Sequence, residues 1–109
     1  MSETQWVPDE GREDVAITKL LKRHDLPLSA NTALQCLVYS GVLREITYES
    51  TTNPGKFKTF RAFNPEFRRL GYNRPTAHEF RTDPRFYADA LPEIVHLIAQ
   101  ALTDAVSEL

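Results

Sequence analysis

Between residues 14 and 63 the hydrophobic pattern changes from a helical period to strict alternation, and that change limits the folds open to the chain. The run DVAITKLLKRHD puts Val15, Ala16, Ile17, Leu20 and Leu21 on a helical stripe. Lys19, Lys22 and Arg23 then face outward, and Asp14 is placed to open the helix at its positive end. His24 to Leu28 is a short connection in which Pro27 forbids a continuous helix. The next run, LSANTALQCLVYSG, begins at Ser29, a good N-cap, and passes its end at Gly41. Ala30, Ala33, Leu34, Leu37 and Val38 take its inner side; Asn31, Thr32, Gln35 and Tyr39 take the other. From Val42 the period is two: Val42, Leu43, Ile46 and Tyr48, then Phe57, Thr59, Arg61 and Phe63 alternating with Lys58, Phe60 and Ala62. Ser50 to Lys56 between them is a turn by composition.

Two helices joined so tightly match a helix-turn-helix, here followed by a long hairpin. The expected class is α+β, a small winged helix-turn-helix with a β-hairpin wing and a long C-terminal helix. Leu20, Leu21, Leu34, Leu37 and Phe60 are expected to be buried together. Asn64-Pro65-Glu66 opens a short helix or turn ending near Gly71. Tyr72 to Pro84 contains two prolines and several polar residues and reads as irregular. Asp83-Pro84-Arg85 reads as a helix start with proline at the first position, reaching about Asp89. The last helix carries a seam at Leu91, Val95, Ile98, Leu102, Ala105 and Leu109, spaced alternately four and three. Such a seam suits a homodimer or an intramolecular contact. Residues 1–13 read as a flexible acidic arm in which Trp6 and Val7 are candidates to dock, residues 14–72 as the winged unit, and 73–109 as a connection and the C-terminal helix.

At 109 residues the chain makes one domain. Its composition is that of an ordinary globular protein, and no apolar run approaches the ~20 residues that cross a bilayer. The acidic N-terminus lacks the apolar stretch of a signal peptide. A single cysteine, Cys36, makes no intrachain disulfide, so a reducing cytoplasm is the expected compartment. The net charge of −2 conceals a segregation: residues 15–74 carry a net +6, and the two flanking ends together −8. One basic face on an acidic body is the expected consequence.

The residue types favour binding over catalysis. Asn31, Thr32, Gln35 and Tyr39 share a helix side, and Asn and Gln bond adenine bidentately in a major groove while Thr meets a thymine methyl. Lys19, Lys22, Arg23, Arg44, Lys56, Lys58 and Arg61 are the candidate phosphate contacts, extended by Arg68, Arg69 and Arg74. The competing reading is a solvated face. Phe57, Phe60, Phe63, Phe67 and Tyr72 interleave with the basic residues, and core packing explains them better than base stacking. His24, His78 and His96 have no metal spacing with one another or with Cys36. No phosphate loop, carboxylate pair or nucleophile–base order is legible, so neither an enzyme nor a cofactor or metal is expected.

The run AITKLLKRHDLPLSANTALQCLVYSGVLRE, followed by a hairpin and FNPEFRRLGYN, is similar to the winged-helix modules of phage antirepressors and prophage regulators. The resemblance covers roughly residues 14–72 and consists of pattern rather than invariant chemistry. It departs in lacking a helix before the helix-turn-helix pair, a place the C-terminal helix could fill. It implies a recognition helix and first strand within Asn31 to Leu43, and a returning strand and turn within Phe57 to Gly71. The implied function is regulation of transcription by a phage or prophage protein that binds double-stranded DNA as a homodimer. The alternative is a protein-interaction module or small inhibitor that binds a protein partner.

Overall fold

Each of the two short helices ends where one left-handed residue turns the chain. Helix α1 is Ile17–Arg23 and α2 is Ala30–Tyr39. After α1, Asp25 has φ 51°, its N–H bonds the Lys22 carbonyl at 3.2 Å, and the Leu26 N–H bonds the Leu21 carbonyl at 3.0 Å. After α2, Gly41 at φ 85° does the same, with Gly41 N–H on Val38 at 3.1 Å and Val42 N–H on Leu37 at 3.0 Å. These are Schellman closures, one with Asp and one with Gly at the left-handed place. Helix α1 therefore stops before Pro27 can act on it. Ser29 caps α2, its Oγ accepting the Thr32 N–H at 3.1 Å.

A computed structural model describes residues 6–78 and 81–107. Those residues form an α+β fold of three α-helices and five strands in two antiparallel sheets. The hairpin pairs β2 (Leu43–Glu49) with β3 (Phe57–Phe63), from Leu43 opposite Phe63 to Glu49 opposite Phe57. Its turn closes with the Lys56 N–H on the Asn53 carbonyl at 3.1 Å, across Pro54 and Gly55, a type II arrangement. The second sheet runs β1–β5–β4, where β1 is Asp14–Val15, β4 is Gly71–Pro75 and β5 is Thr82–Tyr87.

This sheet corrects two expectations. Among the described residues, Tyr72 to Pro84 is irregular only between the two strands, and Asp83-Pro84-Arg85 opens no helix; Tyr72 to Pro75 and Thr82 to Arg85 belong to the β4–β5 pair. The prolines misled because strand pairing hides them. The Tyr87 N–H bonds the Leu70 carbonyl, so the bonded pairs of this ladder alternate with pairs in which Asn73 faces Pro84 and Pro75 faces Thr82. Both prolines thus fall where the missing N–H would point away from the partner strand. Asp14 is also moved, from a helix start into β1. Arg85 holds both its carboxylate (3.0 Å) and its carbonyl oxygen (3.2 Å), a stronger hold than a helix end offers one acid.

The two sheets meet at Asn73, which is fully buried and accepts the Phe63 N–H at 2.8 Å. Around that junction lie Leu20, Leu37, Val42, Leu43, Leu70, Phe86 and Tyr87. Phe63 and Phe86 are 5.0 Å apart between ring centres. Leu34 is only half-buried, and Phe60, though buried, packs on Tyr48 of the hairpin instead of joining this core. Of the five residues expected to be buried together, Leu20, Leu21 and Leu37 are in this core, Leu34 packs against it half-buried, and Phe60 stands apart.

Helix α3 (Leu91–Ser107) packs on α2 of its own chain. Ile94, Ile98 and Ala101 point inward. Of the expected dimer seam, Ile98 is thus used up within the chain, Leu91 and Val95 are half-buried, Leu102 and Ala105 are exposed, and Leu109 lies outside the described residues. The apolar face is wide, and the stripe nearest α2 is the one the core takes. Residues 6–13, read as part of an arm, lie against the body. Trp6 is buried beside Phe63, the Asp9 N–H bonds the Tyr87 hydroxyl at 2.8 Å, and Arg12 binds Asp89. The other part of that arm, residues 1–5, lies outside the described residues. No helix among the described residues is long and apolar enough to cross a membrane.

Candidate nucleic-acid interface

The residues that α2 buries define which of its sides faces out. With Ala33, Cys36 and Leu37 buried, Asn31, Thr32, Gln35 and Tyr39 are all exposed. At 100° per residue they span about a quarter turn of the helix. Ten residues give a helix of roughly 15 Å, which a major groove of about 12 Å width can admit. The four side chains are not equally available. The Thr32 hydroxyl accepts the Ser29 hydroxyl at 2.9 Å as part of the cap, and Asn31 Oδ1 accepts an Arg61 guanidinium N–H at 3.4 Å. Gln35 projects without such a tie among the described residues.

The basic residues divide into three groups. Lys19 and Lys22 stand exposed on α1, Lys19 in the field of Glu13. Arg23 beside them is engaged by Glu13 through two bonds of 2.8 Å, and that hydrogen bonding holds the Glu13 carboxyl below its ordinary range. Lys56 lies in the hairpin turn. The other hairpin cations are separated by the strand alternation: Arg44 and Lys58 share a face with Phe60, whereas Arg61 shares the opposite face with Thr59 and Glu45. The expected single tract therefore splits, and only Arg61 reaches α2.

The C-terminal extension of that tract is largely neutralised. Arg69 binds Glu93, and Arg74 faces Asp83 at 3.7 Å. Arg68 stacks on the Trp6 indole at 4.6 Å. Arg12 and Arg85 are likewise held by Asp89 and Asp14. A count of charges along the sequence cannot see these partners, because each of these ion pairs joins separate elements or the N-terminal segment to the body.

The structure also brings forward residues that the sequence did not mark. Arg81 and Thr82, within the stretch read as irregular, line a cleft together with Arg61 and Leu34 of α2. Only the β4–β5 register places them there, so no local signal could have identified them. Among the described residues, no three His, Cys, Asp or Glu side chains group as a metal site. The chain matches no protein-family model, no curated protein and no solved structure.

Proposed function

We propose that this protein is a DNA-binding regulatory module of winged-helix type, with α2 as the recognition helix and the β2–β3 hairpin as its wing. The observation that carries the reading is the exposed polar side of α2, bearing Asn31, Gln35 and Tyr39, with Arg61 of the hairpin reaching across to Asn31. A helix side of this chemistry reads base edges, and the flanking cations hold phosphates. The resemblance to phage and prophage regulators supplies the setting, a cytoplasmic control protein that binds rather than catalyses. Pairing of two copies, needed for a two-fold operator, would use the exposed end of α3 at Leu102 and Ala105.

A second reading, a module that binds a protein, draws support from the ion pairs. Arg12, Arg23, Arg69, Arg74 and Arg85 all face carboxylates of the same chain, which thins the basic face. Phe57 and Val106 are each 67% exposed and offer apolar contacts instead.

Titration of a mixed-sequence duplex at several salt concentrations separates the two. DNA binding predicts a steep loss of affinity with salt. Replacing Lys56 and Lys58 by Ala should lower the logarithmic salt slope by about 1.8, at ~0.9 per phosphate contact. Gln35→Ala should instead alter sequence preference, by ~1–3 kcal/mol at the base it reads. Absence of duplex binding at low salt would leave the protein-partner reading in its place.

A further inference from the structure

A cleft of about 300 Å³ opens between β3 and the start of β5. It stays open because two strand edges face it that cannot zip together. The Asn64 N–H bonds Val42 and the Ser50 N–H bonds Lys56, so by alternation Arg61 turns its backbone away from β2. On the other side Pro84 has no N–H to offer.

Two residues that line this cleft carry buried donors without acceptors among the described residues. Thr82 is 1% exposed, and its hydroxyl has no partner among the described residues. Arg61 Nε is buried and likewise without one. Arg81 stands exposed at the rim, next to Thr82. Buried donors are seldom left unpaired, and two on residues lining one cleft point to a ligand made of acceptors. Charge narrows the class. Arg61 and Arg81 face Glu45 and Asp83, and Asp83 is itself shared with Arg74 at 3.7 Å. The lining itself is balanced, and with Arg74, which stands outside it on Asp83, the cations among the described residues exceed the carboxylates by one. A single negative charge is matched; a dianion would meet Glu45, which lies opposite Arg61 in the hairpin register.

The geometry points to a binding site for one phosphodiester group of a nucleic-acid backbone. The site deepens the DNA-binding reading and rests on it. Leu34 of α2 forms one wall, and Arg61 links the cleft to Asn31 on the exposed side of that helix. A phosphate held here would anchor the duplex beside α2, from a position that no linear motif marks.

The test uses the full chain and three probes: dimethyl phosphate, inorganic phosphate at about pH 8, where it is mostly a dianion, and a short mixed-sequence duplex. Amide and arginine Nε resonances are followed by NMR. Dimethyl phosphate should shift Thr82 and Arg61 saturably and bind more tightly than the dianion, and the duplex should displace it. Thr82→Val, which removes the hydroxyl at nearly constant shape, should weaken dimethyl phosphate about tenfold, the loss of one charge-assisted hydrogen bond. Thr82→Ser should bind as the parent does. If Thr82→Val does not fold, Arg81→Gln at the exposed rim carries the same test with a similar loss. Shifts that do not saturate, or equal affinity in Thr82→Val, overturn the site while leaving any measured duplex binding intact. Saturable dimethyl phosphate binding without duplex binding overturns the assignment to a nucleic-acid backbone, and the DNA reading falls with it.

Discussion

Gly71 is the position where one added carbon should cost most. It opens β4 opposite Phe86, and a Cβ built there would run into the Arg85 carbonyl oxygen and come within 2.7 Å of the Phe63 ring. Neither neighbour can give way cheaply. The Arg85 backbone belongs to β5, which is clamped between β4 and β1. Phe63 is fully buried, packed on Phe86 at 5.0 Å, and its N–H is tied to Asn73. Overpacking in such a site costs typically ~1–3 kcal/mol and occasionally more, and a backbone clash belongs at or above the top of that range. Gly41 provides the control. A Cβ there meets nothing within 4 Å, so Gly41→Ala should cost only the left-handed backbone penalty of about 1–2 kcal/mol. Urea unfolding followed through Trp6, the only tryptophan, reads both variants. At an m-value of about 2 kcal/mol/M, a loss of ~3 kcal/mol moves the midpoint down by roughly 1.5 M for Gly71→Ala. Phe63→Leu, which removes the ring edge, should recover part of the Gly71→Ala loss when the two are combined, although alone it destabilises. If Gly71→Ala is no worse than Gly41→Ala, the close approach of β4, β5 and Phe63 is wrong.

Leu37 is fully buried on the inner side of α2, so Leu37→Ala should lose ~2–5 kcal/mol in the same assay, and a loss below ~1 kcal/mol would contradict the assigned helix face. Ile98→Glu places a charge in the core and should abolish the cooperative melt, whereas Leu102→Glu, at a residue 45% exposed, should fold normally; the reverse order in circular dichroism would invert the orientation of α3. Light scattering on Leu102→Glu also reports whether the exposed end of α3 pairs two copies. The carboxyls of Asp89, Glu93 and Glu13 are held below their ordinary range, first by hydrogen bonds from Arg12, Arg69 and Arg23. Their folded-state values are depressed, so their contribution is present above the ordinary carboxylate range, near 4, and is lost as pH falls through the lowered values. Thermal melts should therefore weaken on acidification below that range, and Asp89→Asn should flatten the dependence; these pairs are exposed, so added salt should reduce the effect. Carbon-detected titration giving ordinary values for Asp89 and Glu93 would remove this account.

Much of the first half of the fold was legible because local chemistry and tertiary need agree there. Ser29 caps α2 and Gly41 closes it, and both roles follow from side-chain size and hydrogen bonding within a few residues. The exposed quartet Asn31, Thr32, Gln35 and Tyr39 was legible for the same reason, since a helical period assigns sides without knowing the neighbours. The hairpin turn needed only Asn53, Pro54 and Gly55.

The sheet at the C-terminal side was decided by contacts distant in sequence. Pro75 and Pro84 argue against strands until the ladder shows that neither owes an N–H to its partner. Asp14 suits a helix start until Arg85, 71 residues away, holds it in a strand. The basic tract looked continuous because charge along a chain is blind to pairing, and Arg23 and Arg69 are spent on Glu13 and Glu93. On α3 the sequence alone determined an apolar seam, and with it a helix; which stripe turns inward is a matter of where α2 lies, so only the packed structure could claim Ile94, Ile98 and Ala101 for the core and leave Leu102 in water. Periodicity is a property of one segment. Register, ion pairing and the choice among apolar stripes are properties of two segments brought together, and these only the tertiary structure decided.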